Sequence, residues 1–279
     1  MKYDSWQAKR RIESDYDRAI RRLIHRSWQI IGLNDPDLMN PWDLIRRIER
    51  IANTGTFNHF ALAVAKKMVT QTFTDTAQTW REAARGGSQG NKIYHALRNE
   101  MQGPVGGTVN SLVQRNASII RSMPYGMASQ ATKFIQVQTL KGKRHDQITQ
   151  ELLKKMPDIS AKRAAVIART EQSKAHTALI QSRAGQLGIA WYIWRTSKDG
   201  RVRDSHKEME GVLVRFDTPP SPELLAGEKN VGNYNAGEIY NCRCYPEPLL
   251  DLNDITWPRK VHYGGRIVTM SKEQFRMVA

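Results

Sequence analysis

Cysteine is nearly missing from this chain: its 279 residues hold only Cys242 and Cys244. Bridging two cysteines one residue apart would close a very tight, strained ring, so the sequence argues against a structural disulfide and predicts reduced thiols. Long apolar runs are missing too. Nothing approaches the roughly 20 residues that a bilayer span needs. The start, Met1-Lys-Tyr-Asp-Ser-Trp6, has no apolar signal-peptide core, so cytoplasmic synthesis and no membrane partner are expected. Acidic residues are scarce, with 27 Asp and Glu against 43 Lys and Arg and a formal net charge of +16. That imbalance favours polyanionic partners. P-loop, dinucleotide-binding and zincin motifs are all absent, which removes the usual nucleotide-binding and metalloprotease signatures. A second Cys-x-x-Cys pair, which would make a zinc finger convincing, is absent as well.

What is present is uneven. An apolar fraction of 40% is enough for a core. The cationic excess is concentrated in one stretch: residues 133–203 carry +10, whereas residues 204–258 carry −6. Residues 1–50, 51–132 and 259–279 carry +3, +5 and +4.

The first half reads as helical. Ile12, Tyr16, Ile20, Leu23, Ile24, Trp28 and Ile31 recur at three-and-four spacing. The opposite face carries Lys9, Arg10, Arg18, Arg21, Arg22 and Arg26, and Asn34-Asp-Pro-Asp37 breaks the pattern. Asn40-Pro41 is an N-cap followed by proline at the first helical position. After Gly55 a longer helix is expected to bury Phe57, Phe60, Ala61, Val64, Met68, Ala77 and Trp80, and to end at Gly86-Gly87-Ser-Gln-Gly90. Those aromatics sit at helical spacing and read as core rather than base-stacking platforms. Ile93 and Leu97 mark a short helix, Gly103-Pro-Val-Gly-Gly107 a flexible joint, and residues 108–122 another helix burying Val109, Leu112, Val113, Asn116 and Ile120. Pro124 starts the next. The division expected is a helical docking arm over 1–132, a second domain over 133–258 and a basic tail over 259–279.

In the second half, Gly142 ends a helix, residues 145–155 form a compact one, and Met156-Pro157 reads as a joint before an Ala-rich helix capped by Asp158 or Ser160. Arg169 and Glu171 diverge around that helix and are expected to tie it to a sheet. Residues 189–196 are rich in aromatic and β-branched side chains and read as a strand, turning at Asp199-Gly200 into Arg201-Val-Arg203. Residues 212–216 and 238–245 read as further strands, separated by a long loop rich in proline and glycine. The class is α+β: a mostly helical N-terminal region, then helices with a small antiparallel sheet. Val261 to Thr269 is strand-like, and Ser271 opens a capped helical turn.

Three constellations carry possible chemistry. Lys141, Lys143, Arg144, Lys154, Lys155, Lys162, Arg163, Arg169 and Lys174 present charge along two helices, which suits phosphate contacts that carry no sequence information. No base-reading helix is evident, so non-specific double-stranded DNA is the expected polyanion. Cys242 and Cys244, two apart on an expected strand, face one side, and His206 with Asp204 or Asp199 could complete a zinc site; two small buried thiols beside a hydrogen-bonded histidine is the alternative. A hydrolytic reading uses His206 with Asp204, Glu208 or Glu210 and a bound metal, a metal-dependent enzyme acting on nucleic acid or protein. It requires carboxylates to converge on the metal.

The serial order of several short pieces carries a resemblance. Ala168-Arg-Thr-Glu171, Trp194-Arg-Thr-Ser-Lys-Asp199, Arg201-Val-Arg-Asp-Ser-His206, Gly211, Pro219-Pro220 and Asn241-Cys-Arg-Cys244 are together similar to the head-morphogenesis domain of tailed bacteriophages, the Mu F-like and SPP1 gene-7-like minor head proteins. The similarity covers residues 130–250. It implies a non-enzymatic minor capsid protein of the virion, at the portal vertex or in the head interior, that assists head assembly and DNA packaging or ejection. It further implies the portal protein and the major capsid or scaffolding protein as partners.

Overall fold

The computed structural model describes residues 3–30, 40–86 and 89–279. Ile31, the break at Asn34-Asp-Pro-Asp37 and the Gly87-Ser88 stop lie outside them. Among the described residues, seven α-helices precede the first strand: α1 (Arg10–Ile30), α2 (Pro41–Ala52), α3 (Gly55–Gly86), α4 (Gly90–Arg98), α5 (Pro104–Arg121), α6 (Met123–Leu140) and α7 (His145–Leu187). There follow β1 (Trp191–Arg195), α8 (Asp204–Glu208), β2 (Leu213–Arg215), α9 (Pro222–Leu225), β3 (Tyr245–Pro248), β4 (Arg259–Tyr263), β5 (Arg266–Met270) and α10 (Lys272–Arg276). The α+β class holds.

The chain forms two compact units, neither a simple run of sequence. One gathers Met1–Arg10, Thr70–Asn110 and Arg169–Ala279, the other Arg11–Val69 and Ser111–Ala168. The division therefore does not fall at residue 132 but inside α1, α3, α5 and α7. Helix length is the reason: α7, with 43 residues, is about 65 Å long, more than a single small core can cover.

Among the described residues, the regular elements of the second unit are all helices. Asn40 caps α2 as its pattern predicts, its side chain accepting from the Trp42 amide at 3.0 Å. Leu44, Ile45, Ile48 and Ile51 form the buried stripe of α2, and α2 packs chiefly on α6. In α1, Ile12, Tyr16, Ile20, Leu23 and Ile24 are buried. The Tyr16 hydroxyl donates to Asn116 Oδ1 at 3.0 Å, and the Asn116 amide donates to the Leu112 carbonyl at 2.8 Å, so the buried polar pair is satisfied. Phe60 departs from its expected burial. It is 46% exposed, because the inward stripe of α3 runs through Phe57, Ala61, Ala65 and Met68 and leaves residue 60 on the solvent side.

Two expected joints are helix instead. Gly103 to Gly107 runs into α5, with Pro104 at its first position, where a missing N–H costs nothing. Residues 145–187 are one helix with Pro157 inside it rather than two helices, and Ser160 Oγ donates to the Pro157 carbonyl at 2.8 Å instead of capping a new start. Proline removes one donor and crowds one carbonyl. The apolar residues Ile148, Leu152, Met156, Ala164 and Ala168, all buried, continue across it and outweigh that loss.

The first unit holds the sheet, in the order β3-β1-β2-β4-β5. It is mixed rather than wholly antiparallel, because β2 and β4 pair in parallel with Leu213 opposite Val261. The basic tail, for which the sequence leaves docking on its own domain or on a neighbour open, is part of the sheet: β4 and β5 form a hairpin, and Ser271 opens α10 with a capping box. Interior strand β1 is buried on both faces. Tyr192 and Trp194 turn to a core with Trp6, Trp80, Ile180, Ala184 and Leu187, while Trp191 and Ile193 turn to Leu213, Val261 and Phe275. Period-two alternation between two apolar faces explains why residues 191–194 show no charged positions before Arg195.

His176, on α7, is fully buried. Burial first, and then the charges of Lys9 and Arg183, push its pKa down to about 3. The unfolded chain, with an ordinary histidine pKa of about 6.5, takes up the proton first as pH falls. The stability from neutral His176 is therefore complete above about pH 6.5 and drains toward pH 3, by roughly 1.4 kcal/mol per unit. Urea unfolding should show a loss of about 2 kcal/mol at pH 5 from this residue, and His176→Gln should flatten that slope.

Candidate functional site

The site is built on three segments. After β1, residues 197–203 form turns rather than the expected hairpin strand, because β1 takes β2 and β3 as its partners. That leaves the chain free to start α8, which carries His206. The second segment, residues 238–244, is also not a strand. Asn241 adopts a left-handed backbone (φ 57°), which asparagine tolerates better than most residues. The turn there places both cysteines just before β3.

Helix α7 grips this turn. Thr170 Oγ1 accepts from the Asn241 amide at 3.2 Å, and the Arg169 guanidinium reaches Asn241 Oδ1 at 3.5 Å. Further along, Thr177 donates to the Ala236 carbonyl at 2.6 Å. Gly237 (φ 92°) passes so close that an added Cβ would lie 2.5 Å from Thr177 Oγ1 and 2.8 Å from the Cys244 carbonyl. Arg169 and the small polar residues of α7 thus hold the Asn-Cys-Arg-Cys turn in place, where the sequence had the helix tied to a sheet strand.

At the centre, His206 Nδ1 lies 3.5 Å from Cys242 Sγ and 3.4 Å from Cys244 Sγ, and all three side chains are buried. The Cys244 amide lies 3.4 Å from Cys242 Sγ. On the other side of the ring, Nε2 is 2.9 Å from the Tyr234 hydroxyl, and that hydroxyl donates to the Glu223 carboxylate at 2.6 and 2.7 Å. Burial and the Glu223 carboxylate raise the tyrosine pKa, so the hydroxyl keeps its proton. Because that proton goes to Glu223, Tyr234 can only accept from His206. Nε2 therefore donates to Tyr234, and Nδ1 faces the two sulfurs. A hydrogen bond from the Cys244 thiol holds Cys242 well below the usual thiol range, and the same bond raises Cys244. Trp194 meets the imidazole edge-on, with ring centres 5.7 Å apart.

The other expected ligands are elsewhere. Asp199 is paired with Arg243 at 2.8 Å, and Asp204, 87% exposed, with Lys207 at 2.7 Å. Neither serves as a fourth ligand. Glu210 accepts from the Thr196 amide and hydroxyl at 2.7 and 2.8 Å and from Arg195 at 3.3 Å, and Glu208 faces solvent. The carboxylates of the hydrolytic reading therefore do not converge with His206. Tyr234 and Glu223, which do reach it, were missed in the sequence. They lie in the long loop and at its short helix α9, and their only signal is a tyrosine and an acid among turn formers.

The nine basic residues divide. Lys141, Lys143, Arg144, Lys154, Lys155, Lys162 and Arg163 belong to the all-helical unit, and Arg169 and Lys174 to the sheet-bearing one. Lys141, Arg144, Lys154, Lys155 and Lys162 are exposed. Lys155 also lies over the Phe134 ring at 5.4 Å. Lys143 is paired with Glu151 at 2.6 Å, Arg144 with Asp146 at 3.5 Å and Lys174 with Glu171 at 3.7 Å. Arg163 lies along α6 at Gly126, where a Cβ would come within 2.4 Å of its guanidinium.

Residues 134–246 match the sequence profile of the family described as Phage Mu protein F like protein, a stretch that contains Glu223, Tyr234 and the whole His-Cys-Cys cluster. The segment carrying the site is similar to that family, as the resemblance implied. An uncharacterized protein of Haemophilus influenzae is 30% identical over 146 residues, covering 52% of this chain and 30% of that protein. The chain thus spans under a third of that relative's length. No solved structure matches the chain. Among the described residues, no helix is long and apolar enough to cross a membrane.

Proposed function

We propose that the protein is a minor capsid protein of a tailed phage, acting without catalysis at the portal or inner head, where it assists head assembly and DNA packaging or ejection. The observation that carries this reading is the Mu F-like match over residues 134–246. Other head proteins, the portal among them, are its partners on this reading. The charge map supports a DNA contact. Exposed Lys141, Arg144, Lys154, Lys155 and Lys162 can neutralise phosphates without reading bases.

Affinity for duplex DNA should be indifferent to sequence and fall steeply with salt, with a log–log slope of about −0.9 per phosphate contact. Replacing Lys154, Lys155 and Lys162 together by glutamine should weaken binding evenly across sequences and shallow that slope by roughly three. Fluorescence anisotropy at several salt concentrations measures both. Salt-independent binding, or none at low salt, would remove the DNA contact, and failure to co-purify with portal rings or virions would remove the rest.

A further inference from the structure

We propose that His206 Nδ1, Cys242 Sγ and Cys244 Sγ bind a Zn²⁺ ion whose fourth position opens to a small arginine-lined cavity. Two sulfurs and an imidazole nitrogen form a borderline-soft donor set that suits zinc better than calcium or magnesium. The separations fit as well. With Zn–S near 2.3 Å and Zn–N near 2.05 Å, tetrahedral angles place neighbouring N and S ligands about 3.5 Å apart. The two N–S separations here are 3.5 and 3.4 Å. An ion at the shared focus engages all three donors.

The surroundings have the form of a metal ligand's outer shell. A metal-bound histidine donates its other ring N–H to a partner that fixes the tautomer; here the Tyr234 hydroxyl, anchored on Glu223, takes that hydrogen. The Cys244 amide aims at Cys242 Sγ, a contact that favours thiolate. Among the described residues no further His, Cys or carboxylate joins the three, and Asp199 and Asp204 are paired with Arg243 and Lys207. Instead the cluster borders a cavity of about 110 Å³ that Arg201, Arg203 and Arg243 also line. That is room for a water molecule, and the surrounding positive charge favours hydroxide or a small anion there. The ion would clasp α8 to the turn at 238–244.

The test begins with the wild-type full chain, purified without chelator. Elemental analysis should find about one zinc per chain, and cobalt(II) in its place should give thiolate-to-metal charge-transfer bands with the strong visible bands of four-coordination. Phosphate or thiocyanate should shift the visible bands by replacing the fourth ligand. Tyr234→Phe, which keeps the ring and removes the hydroxyl, should weaken zinc about 10–100-fold in competition with a chromophoric chelator. Substoichiometric metal, cobalt bound without thiolate bands, or a Cys242–Cys244 disulfide in freshly purified protein would overturn the site. Visible bands that ignore added anions would overturn the open position, and unchanged zinc affinity in Tyr234→Phe would overturn the role of the Tyr234–Glu223 pair. The wild-type measurements hold whether or not the variant folds.

Discussion

Glu100→Ala is expected to destabilise the sheet-bearing unit by about 3–5 kcal/mol, the cost of leaving a buried charge without its partner. The charge is Arg183, whose side chain is 1% exposed and meets Glu100 at 2.6 and 3.1 Å. Its guanidinium also donates to Thr76 Oγ1 and to the Phe73 carbonyl, and lies over the Phe73 ring at 4.8 Å. Every one of these partners would remain after the substitution, yet none carries a negative charge. Replacing the pair together, as Glu100→Leu with Arg183→Met, should recover much of the loss, since apolar packing in place of an ion pair is often neutral. Urea unfolding followed by circular dichroism measures both. A loss below about 1 kcal/mol for Glu100→Ala would mean that the pair contributes no more than a surface ion pair.

Trp194→Ala should cost a similar amount, about 3–5 kcal/mol, because it empties a large volume in a packed core. Trp194 is fully buried on β1, pairs in register with Pro246 on β3, and packs with Tyr234 as well as His206. Its removal takes away the wall that sets the imidazole orientation, so metal affinity should fall together with stability. Trp194→Phe fills most of the space and should lose less on both counts. Thermal unfolding with a parallel zinc titration separates the two effects. A Trp194→Ala protein as stable as wild type would show that β1 does not anchor this core.

Much of the helical part was legible because its signals are local. Asn40-Pro41, Gly142 and the stripe Leu44, Ile45, Ile48, Ile51 each state their role within a few residues. Pro157 shows the limit of local rules: the joint it suggests is overridden by burial on both sides of it. The sheet was harder. Residues 201–203 and 238–244 have strand-like composition, but strand pairing is decided by distant segments, and β1 is satisfied by β2 and β3 instead. At the site, the meeting of His206 with Cys242 and Cys244 was readable from residue type alone. Tyr234 and Glu223 were not, because their contact with the histidine depends on how a long loop folds back. The Arg183–Glu100 pair was hidden for the same reason, its members standing 83 positions apart.

The parallel pairing of β2 with β4 has a practical consequence. The Mu F-like match ends at residue 246, within β3 and well short of β4. A fragment cut to that match would strip the β4–β5 hairpin from β2 and shorten β3, baring a row of unpaired amides and carbonyls along the sheet's new margin. Such a margin invites a neighbouring molecule to dock strand against strand, so a truncated protein would tend to clump whatever the segment does in the whole protein.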